Sequence, residues 1–248
     1  MPNVQWDYST LAEHYDKRAD YANEAIDAML DLTRPDRTRP IADIGAGTGK
    51  LTKLLLARGY TVRAVEPNDS MREHGIRNTA GAPVQWTTGT GEQTGLPDAS
   101  FDLVTFGSSF NVTDRPRALR EVARIARSHG WFACMWNHRD LDDEVQRLCE
   151  KIIRDRIPQY DYGSRREDQT EVIRASGLFE EPIPIERRVV HEISLQDFVE
   201  AWRSHATLQR QAGDAFDAII RDIENALSKR STIHVPYTTR LWCAHLKR

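Results

Sequence analysis

The sequence predicts an α/β fold in which a mainly parallel sheet is covered by helices on both faces. Three observations carry the prediction. Short apolar runs bounded by turns recur along the first half of the chain, and the segments between them place apolar residues at helical spacing. The first run enters its helix through a turn with three glycines, IADIGAGTGKLT from Ile41 to Thr52.

The first strand is expected at 40–44, and Leu51, Leu54, Leu55 and Leu56 give the following helix its spacing. Between them, Gly45, Gly47 and Gly49 permit unusual backbone angles and let a ligand lie against bare peptide, while the helix start offers free N–H groups. Residues 61–65 form a second β-rich run after Gly59, a helix stop. Asn68, Asp69 and Ser70 are N-cap candidates for the next helix. Strands follow at 84–88 and 101–106. A helix opening on Arg115-Pro116-Arg117 then has Ala118, Leu119, Val122, Ala123, Ile125 and Ala126 as its apolar face, and a fifth strand spans 131–136. Two later strands are expected, at 183–193 with a break at Pro184 and at 232–246, which makes seven.

Composition fits one enzyme domain. With 248 residues, 40% hydrophobic and 29% charged, the chain can bury one good core, and no composition break divides it. Its 34 basic and 37 acidic residues nearly balance, which argues against nucleic acid or an anionic membrane as partner. The basic pairs Arg165-Arg166 and Arg187-Arg188 read as solvated edges, the first of them also as a contact for an anionic substrate. Cys134, Cys149 and Cys243 have no metal spacing, and with a start lacking the regions of a signal peptide they predict a reduced, cytoplasmic protein. No apolar run approaches a membrane span.

The glycine spacing narrows the ligand. A dinucleotide turn, G-x-G-x-x-G, requires glycine where Lys50 stands; this chain has Asp43 followed by G-x-G-x-G. Glu66, at the end of the second strand, can accept hydrogen bonds from both hydroxyls of a ribose. The turn resembles motif I of the class I S-adenosylmethionine (SAM)-dependent methyltransferases, of the methyltransferase type 11-like, small-molecule kind. Gly89-Thr90-Gly91-Glu92 and the LPDASFD stretch from Leu96 resemble the family's G-x-A-E…LP-x-x-x-FD segment, and Tyr15-Asp16-Lys17-Arg18-Ala19 resembles its YD-x-x-A lid pattern.

The resemblance covers residues 8–137 and implies a Rossmann-like, doubly wound, seven-stranded sheet with an antiparallel C-terminal edge strand. It implies SAM as cofactor, with S-adenosylhomocysteine as product. The cofactor residues would be Asp43, Gly45, Ala46, Gly47 and Gly49, then Glu66 and Pro67 at the ribose, and Met71, Thr90, Gly91 and Glu92 around the adenine. Tyr15, Arg18 and Ser108 would stand at the methionine end. Two departures from the family stand out: Asn111 replaces a frequent histidine, and Arg127-Ser128-His129-Gly130 replaces a P-G-G turn.

The layout expected is a single domain, with lid helices at 1–36 and the cofactor core at 37–137. A helical cap follows at 138–182 and 194–230, and the last strands at 183–193 and 231–248. Trp136-Asn137-His138-Arg139 falls at the carboxyl end of the fifth strand, so His138 is the general-base candidate and Asn111 a second catalytic candidate. Asn111, Asn137, His138, Arg139, Tyr160, Tyr162 and Arg165 are the substrate candidates; no metal site is expected. The function read from this is methyl transfer to an O, N or C nucleophile of a small-molecule acceptor by a monomer or homodimer. Kept beside it are methylation of tRNA or protein, a non-catalytic SAM-binding partner and, weakest, a nicotinamide-dependent oxidoreductase.

Overall fold

The computed structural model describes residues 15–247, without the side chain of Arg165. Seven strands form one sheet: β1 (Pro40–Ile44), β2 (Thr61–Val65), β3 (Val84–Thr87), β4 (Phe101–Gly107), β5 (Ala126–Arg139), β6 (Ile183–Ser194) and β7 (Thr232–His245). Their spatial order is β3-β2-β1-β4-β5-β7-β6. The first five are parallel, and β7 runs antiparallel to both β5 and β6. The terminal strand therefore lies inside the antiparallel pair, and β6 is the outer edge.

Alternate residues on each strand face opposite layers, as a pleated sheet dictates. Ala42, Val104, Phe106, Phe132, Cys134 and Trp242 join one core, while Ile41, Leu103, Ala133, Met135, Leu241 and Cys243 join the other. The first layer is closed by α4 (Arg115–Ile125), capped by the Asp114 carboxylate and burying Ala118, Leu119, Val122 and Ile125. The second is closed by α1 (Asn23–Thr33) and α2 (Lys50–Leu56). Between β2 and β3 lies α3 (Asp69–Asn78), whose N-cap is Asn68.

Four expectations change in the structure. Pro184 does not break β6, because it sits on an edge strand where a missing N–H removes no ladder bond from a second neighbour. The fifth strand begins at Ala126 rather than at 131; its register with β4 jumps between the Phe101↔Ala126 and Leu103↔Trp131 pairs, so residues 127–130 are accommodated as an irregularity. Helix α1 is no lid: Ala25, Ile26 and Met29 are fully buried against the sheet. The expected lid helices at 1–14 lie outside the described residues. Finally, α6 (Thr170–Ala175) and Phe179 belong to the sheet core, not the cap, since Ile173 and Phe179 pack beside Phe132.

A third apolar cluster is the cap itself. It unites α5 (Glu144–Arg156), α7 (Leu195–Arg203), α8 (Ala206–Ala212) and α9 (Phe216–Leu227) with Ile233 and Val235 of β7. Val145, Cys149 and Ile153 meet Phe198, Trp202, Ile219 and Ile223, so two segments distant in sequence share one core. All three cysteines are buried free thiols.

Candidate functional site

The glycine turn is built by close backbone approach. Gly45, Gly47 and Gly49 all have positive φ, at 65°, 58° and 87°. At Gly45 an added Cβ would stand 2.5 Å from the Cβ of Ser109, whose hydroxyl donates to the Ile44 carbonyl at 2.6 Å. Glycine is thus required here by both φ and space. Beneath the turn, the fully buried Asp43 carboxylate accepts from Thr52 Oγ1 at 2.6 Å and from Thr105 Oγ1 at 3.2 Å. Asp43 ties β1, α2 and β4 together below the ligand surface.

Burial pushes the Asp43 carboxyl up to about 6, against the bonds from the two threonines. Because the folded-state value lies above that of an unfolded aspartate, about 3.9, the group favours folding fully only below about pH 4. That contribution is lost as pH rises through about 6. The stability of the native chain relative to Asp43→Asn should therefore fall between pH 4 and 6 and stay level above pH 7. Denaturant unfolding at stepped pH measures it; a flat difference across the range would refute the assignment.

Two cavities meet at the turn. The first, about 500 Å³, is lined by Gly45, Gly47, Glu66, Pro67, Asn68, Met71, Thr90, Gly91, Glu92, Phe106 and Ser109. Glu66 is buried at its wall; its carboxylate accepts from the backbone N–H of Gly47 and of Asn68, each at 2.9 Å. Burial raises the Glu66 pKa, opposed by those two N–H groups. Glu92 accepts from the Asp114 N–H at 2.6 Å, and Thr90 closes a turn with Gln93, so both shape the wall.

The second cavity holds Tyr15, Arg18, Tyr21, Asp43, Ala46, Lys50, Asn111, Trp136, His138, Arg139, Tyr162, Arg166, His205, Thr207 and Tyr237. Gly45, Gly47, Gly107, Ser108, Tyr15 and Val112 line both cavities. Ser108 has a left-handed φ of 61° and shares a 2.7 Å hydrogen bond with the Tyr21 hydroxyl. That conformation is rare for serine and marks the junction.

Asp16 fixes the segment over the turn: it accepts from Thr48 Oγ1 at 2.6 Å and from Asn78 Nδ2 at 2.8 Å. Lys50 Nζ meets Asp20 at 2.6 Å, and Lys17 meets Asp197 of α7 at 2.8 Å. The segment from Tyr15 to Tyr21 is thereby bonded to the glycine turn on one side and to the cap on the other.

Most of the residues selected from sequence converge here, with three exceptions. Gly49 lies away from both cavities: as the left-handed residue preceding α2, it faces Thr79 and Trp86. Tyr160 is buried in the cap core, edge-on to Tyr162, and does not line the cavity. Asn137 does line the second cavity, and its amide also holds the neighbouring segments, donating to the Ala19 and Asp20 carbonyls and accepting from Thr239. Arg165 has no described side chain, and Arg166 occupies the cavity wall instead. Asn111 lines the cavity with its Oδ1 accepting from the Trp136 indole at 3.0 Å. Among the described residues, no group of three or more His, Cys, Asp or Glu could hold a metal ion, and no helix is long and apolar enough to cross a membrane.

Sequence reasoning missed Asp16, Tyr21, Lys50, Trp136, His205, Thr207 and Tyr237 as contributors, whereas it reads Arg166 with Arg165 as a contact for an anionic substrate. Asp16 lay within the recognised lid motif and Tyr21 two residues beyond it, so a signal existed. His205, the residue before α8, and Thr207, in its first turn, reach the site only through the fold of the cap.

Residues 42–134 match the family model described as methyltransferase domain. Uncharacterized methyltransferases of Mycobacterium bovis and Mycobacterium tuberculosis are 38% identical to this chain over 158 residues, 63% of each chain. The chain thus spans less than two thirds of the length of these relatives. The ubiquinone/menaquinone biosynthesis C-methyltransferase of Rubrivivax gelatinosus is 31% identical over 136 residues, covering 52% of this chain and 53% of its own. Among solved structures, phosphoethanolamine N-methyltransferase 2 of Haemonchus contortus in complex with SAM is similar in fold, with a TM-score of 0.55 and 15% identity over 97% of this chain and 57% of that one. Sheet order and glycine turn agree with the Rossmann-like fold of these methyltransferases, and residues 42–134 are the part that matches the methyltransferase domain.

Proposed function

We propose that this chain transfers the methyl group of SAM to an O, N or C nucleophile of a small-molecule acceptor. The observation that carries the reading is the pair of cavities joined at Gly45, Gly47 and Ser108. One has the size and lining of a nucleoside site, with a buried carboxylate at its wall, bare glycine backbone and the apolar Met71. The other is enclosed between the 15–21 segment, the end of β5 and the cap, which suits an acceptor small enough to be surrounded.

In this reading Glu66 holds the ribose hydroxyls, Met71 packs on the adenine, and Thr90 and Gly91 border its edge. Gly45, Ala46 and Gly47 present backbone to the cofactor, while Tyr15, Arg18 and Ser108 stand toward its methionine end. SAM supplies an electrophilic methyl group on a sulfonium. The protein's own work is to align the nucleophile with that methyl and to exclude water. His138, buried at the end of β5 and on the wall of the second cavity, takes the acceptor's proton where the acceptor still carries one.

Calorimetry with SAM and with S-adenosylhomocysteine tests the reading. One site per chain is expected for each, followed by transfer of labelled methyl from SAM to a component of a metabolite extract. Failure of both to bind, or tight binding of NADH in their place, would overturn it.

A further inference from the structure

The second cavity has a lopsided charge. Its wall includes the cations Arg18, Lys50, Arg139 and Arg166, and its one carboxylate among the described residues is Asp43, which is held by two threonine hydroxyls beneath the glycine turn. Lys50 is answered by Asp20. Arg139 and Arg166 are not fully answered. The Arg139 side chain is 7% exposed; its Nη2 donates to Glu150 at 3.0 Å and to the Tyr162 hydroxyl at 2.6 Å. Its Nη1 is buried with no hydrogen-bond partner. Glu150 in turn is shared with Arg154, at 2.7 Å.

Arg166 is held beside this group by a 2.8 Å bond from its Nη2 to the Arg139 carbonyl, and its guanidinium lies 4.5 Å from the centre of the Tyr162 ring. Arg139 lies 5.5 Å from the centre of the same ring. Two guanidinium groups therefore flank one tyrosine with a single shared carboxylate nearby. Partial burial works against the charge of Arg166, lowering its pKa. A buried cationic donor without an acceptor is a deficit that a bound anion would fill, and guanidinium is suited to carboxylate and phosphate.

We propose, on the basis of the acceptor-cavity reading above, that the acceptor carries a carboxylate or phosphate group and that Arg139 and Arg166 receive it. The anion would sit at the cap side of the cavity, leaving the nucleophile to face the glycine turn. An acceptor bearing an ammonium group would instead add positive charge to a wall that already has an excess, beside a cationic methyl donor.

The test is calorimetry on protein saturated with S-adenosylhomocysteine, titrated with benzoate, phenyl phosphate and benzamide as probes. At least one anion should bind about tenfold or more tightly than the neutral amide, the difference expected for one charge-assisted contact. Comparison of benzoate with phenyl phosphate tells which anion the site prefers. Arg166→Gln should abolish the preference while leaving S-adenosylhomocysteine affinity unchanged. Arg139→Gln should do the same; if burial of Arg139 makes that variant unstable, Arg166→Gln still decides. Equal binding of benzamide and both anions, or an undiminished preference in Arg166→Gln, would overturn the proposal without touching the methyltransferase reading. Failure of S-adenosylhomocysteine itself to bind would remove that reading and this proposal with it.

Discussion

Glu66→Ala should weaken SAM binding by about 2–3 kcal/mol, roughly 30- to 150-fold, with little change in folding. A carboxylate that accepts from two hydroxyls makes charge-assisted bonds, and hydrogen bonds to charged groups are worth about 1.5–3 kcal/mol. Within the chain the same oxygens accept from the N–H groups of Gly47 and Asn68, so Glu66 also holds the glycine turn and the start of α3 in place. Stability should change less than affinity because Glu66 is costly to bury: its raised pKa records desolvation that alanine removes. Glu66→Gln keeps an acceptor oxygen without the charge and should fall between the two. Calorimetry with S-adenosylhomocysteine, paired with thermal unfolding, measures both quantities. An unchanged Kd in Glu66→Ala would remove Glu66 from the cofactor site.

The sheet was legible because the central parallel strands β1 and β4 are buried on both faces and so read as short apolar runs, and because the glycine turn has a distinctive spacing. Ala42 and Ile44 pack on one layer while Ile41 packs on the other, which is why that run shows no polar alternation. The cofactor half of the site followed, since strand order places Gly45, Glu66 and Thr90 at adjoining strand ends. Local signals failed where tertiary pairing decides. Gly49 looks like its two neighbours in sequence, yet its place before α2 turns it toward Trp86. Tyr160 and Tyr162 are two residues apart, and only the cap core around Ile153 and Trp202 determines which is swallowed. His205 and Tyr237 lie far along the chain from the glycine turn and enter the cavity through cap packing and the antiparallel pairing of β7. No local motif encodes such placement.

His138→Gln should lower kcat by about 100-fold, the lower range for loss of a general base, and leave the Kd for SAM unchanged. The imidazole lines the second cavity and not the first, so on the proposed division of the two its loss should act on proton removal rather than on cofactor binding. It stands at the end of β5, past the last pair with β4 and in register with Thr238 of β7, so β7 holds the backbone that positions it. Glutamine keeps hydrogen-bonding capacity but cannot take a proton at neutral pH, which separates base chemistry from packing. The pH profile offers a second readout: the limb in kcat that reports the ionisation of an essential base should disappear in His138→Gln and persist in Glu66→Ala. In the double variant the free-energy losses should add, because one residue serves the donor and the other the acceptor. If His138→Gln weakens SAM binding as much as Glu66→Ala does, the division of the two cavities between donor and acceptor is wrong. If kcat and its pH profile both stay unchanged, the acceptor reaches the methyl group without help from His138.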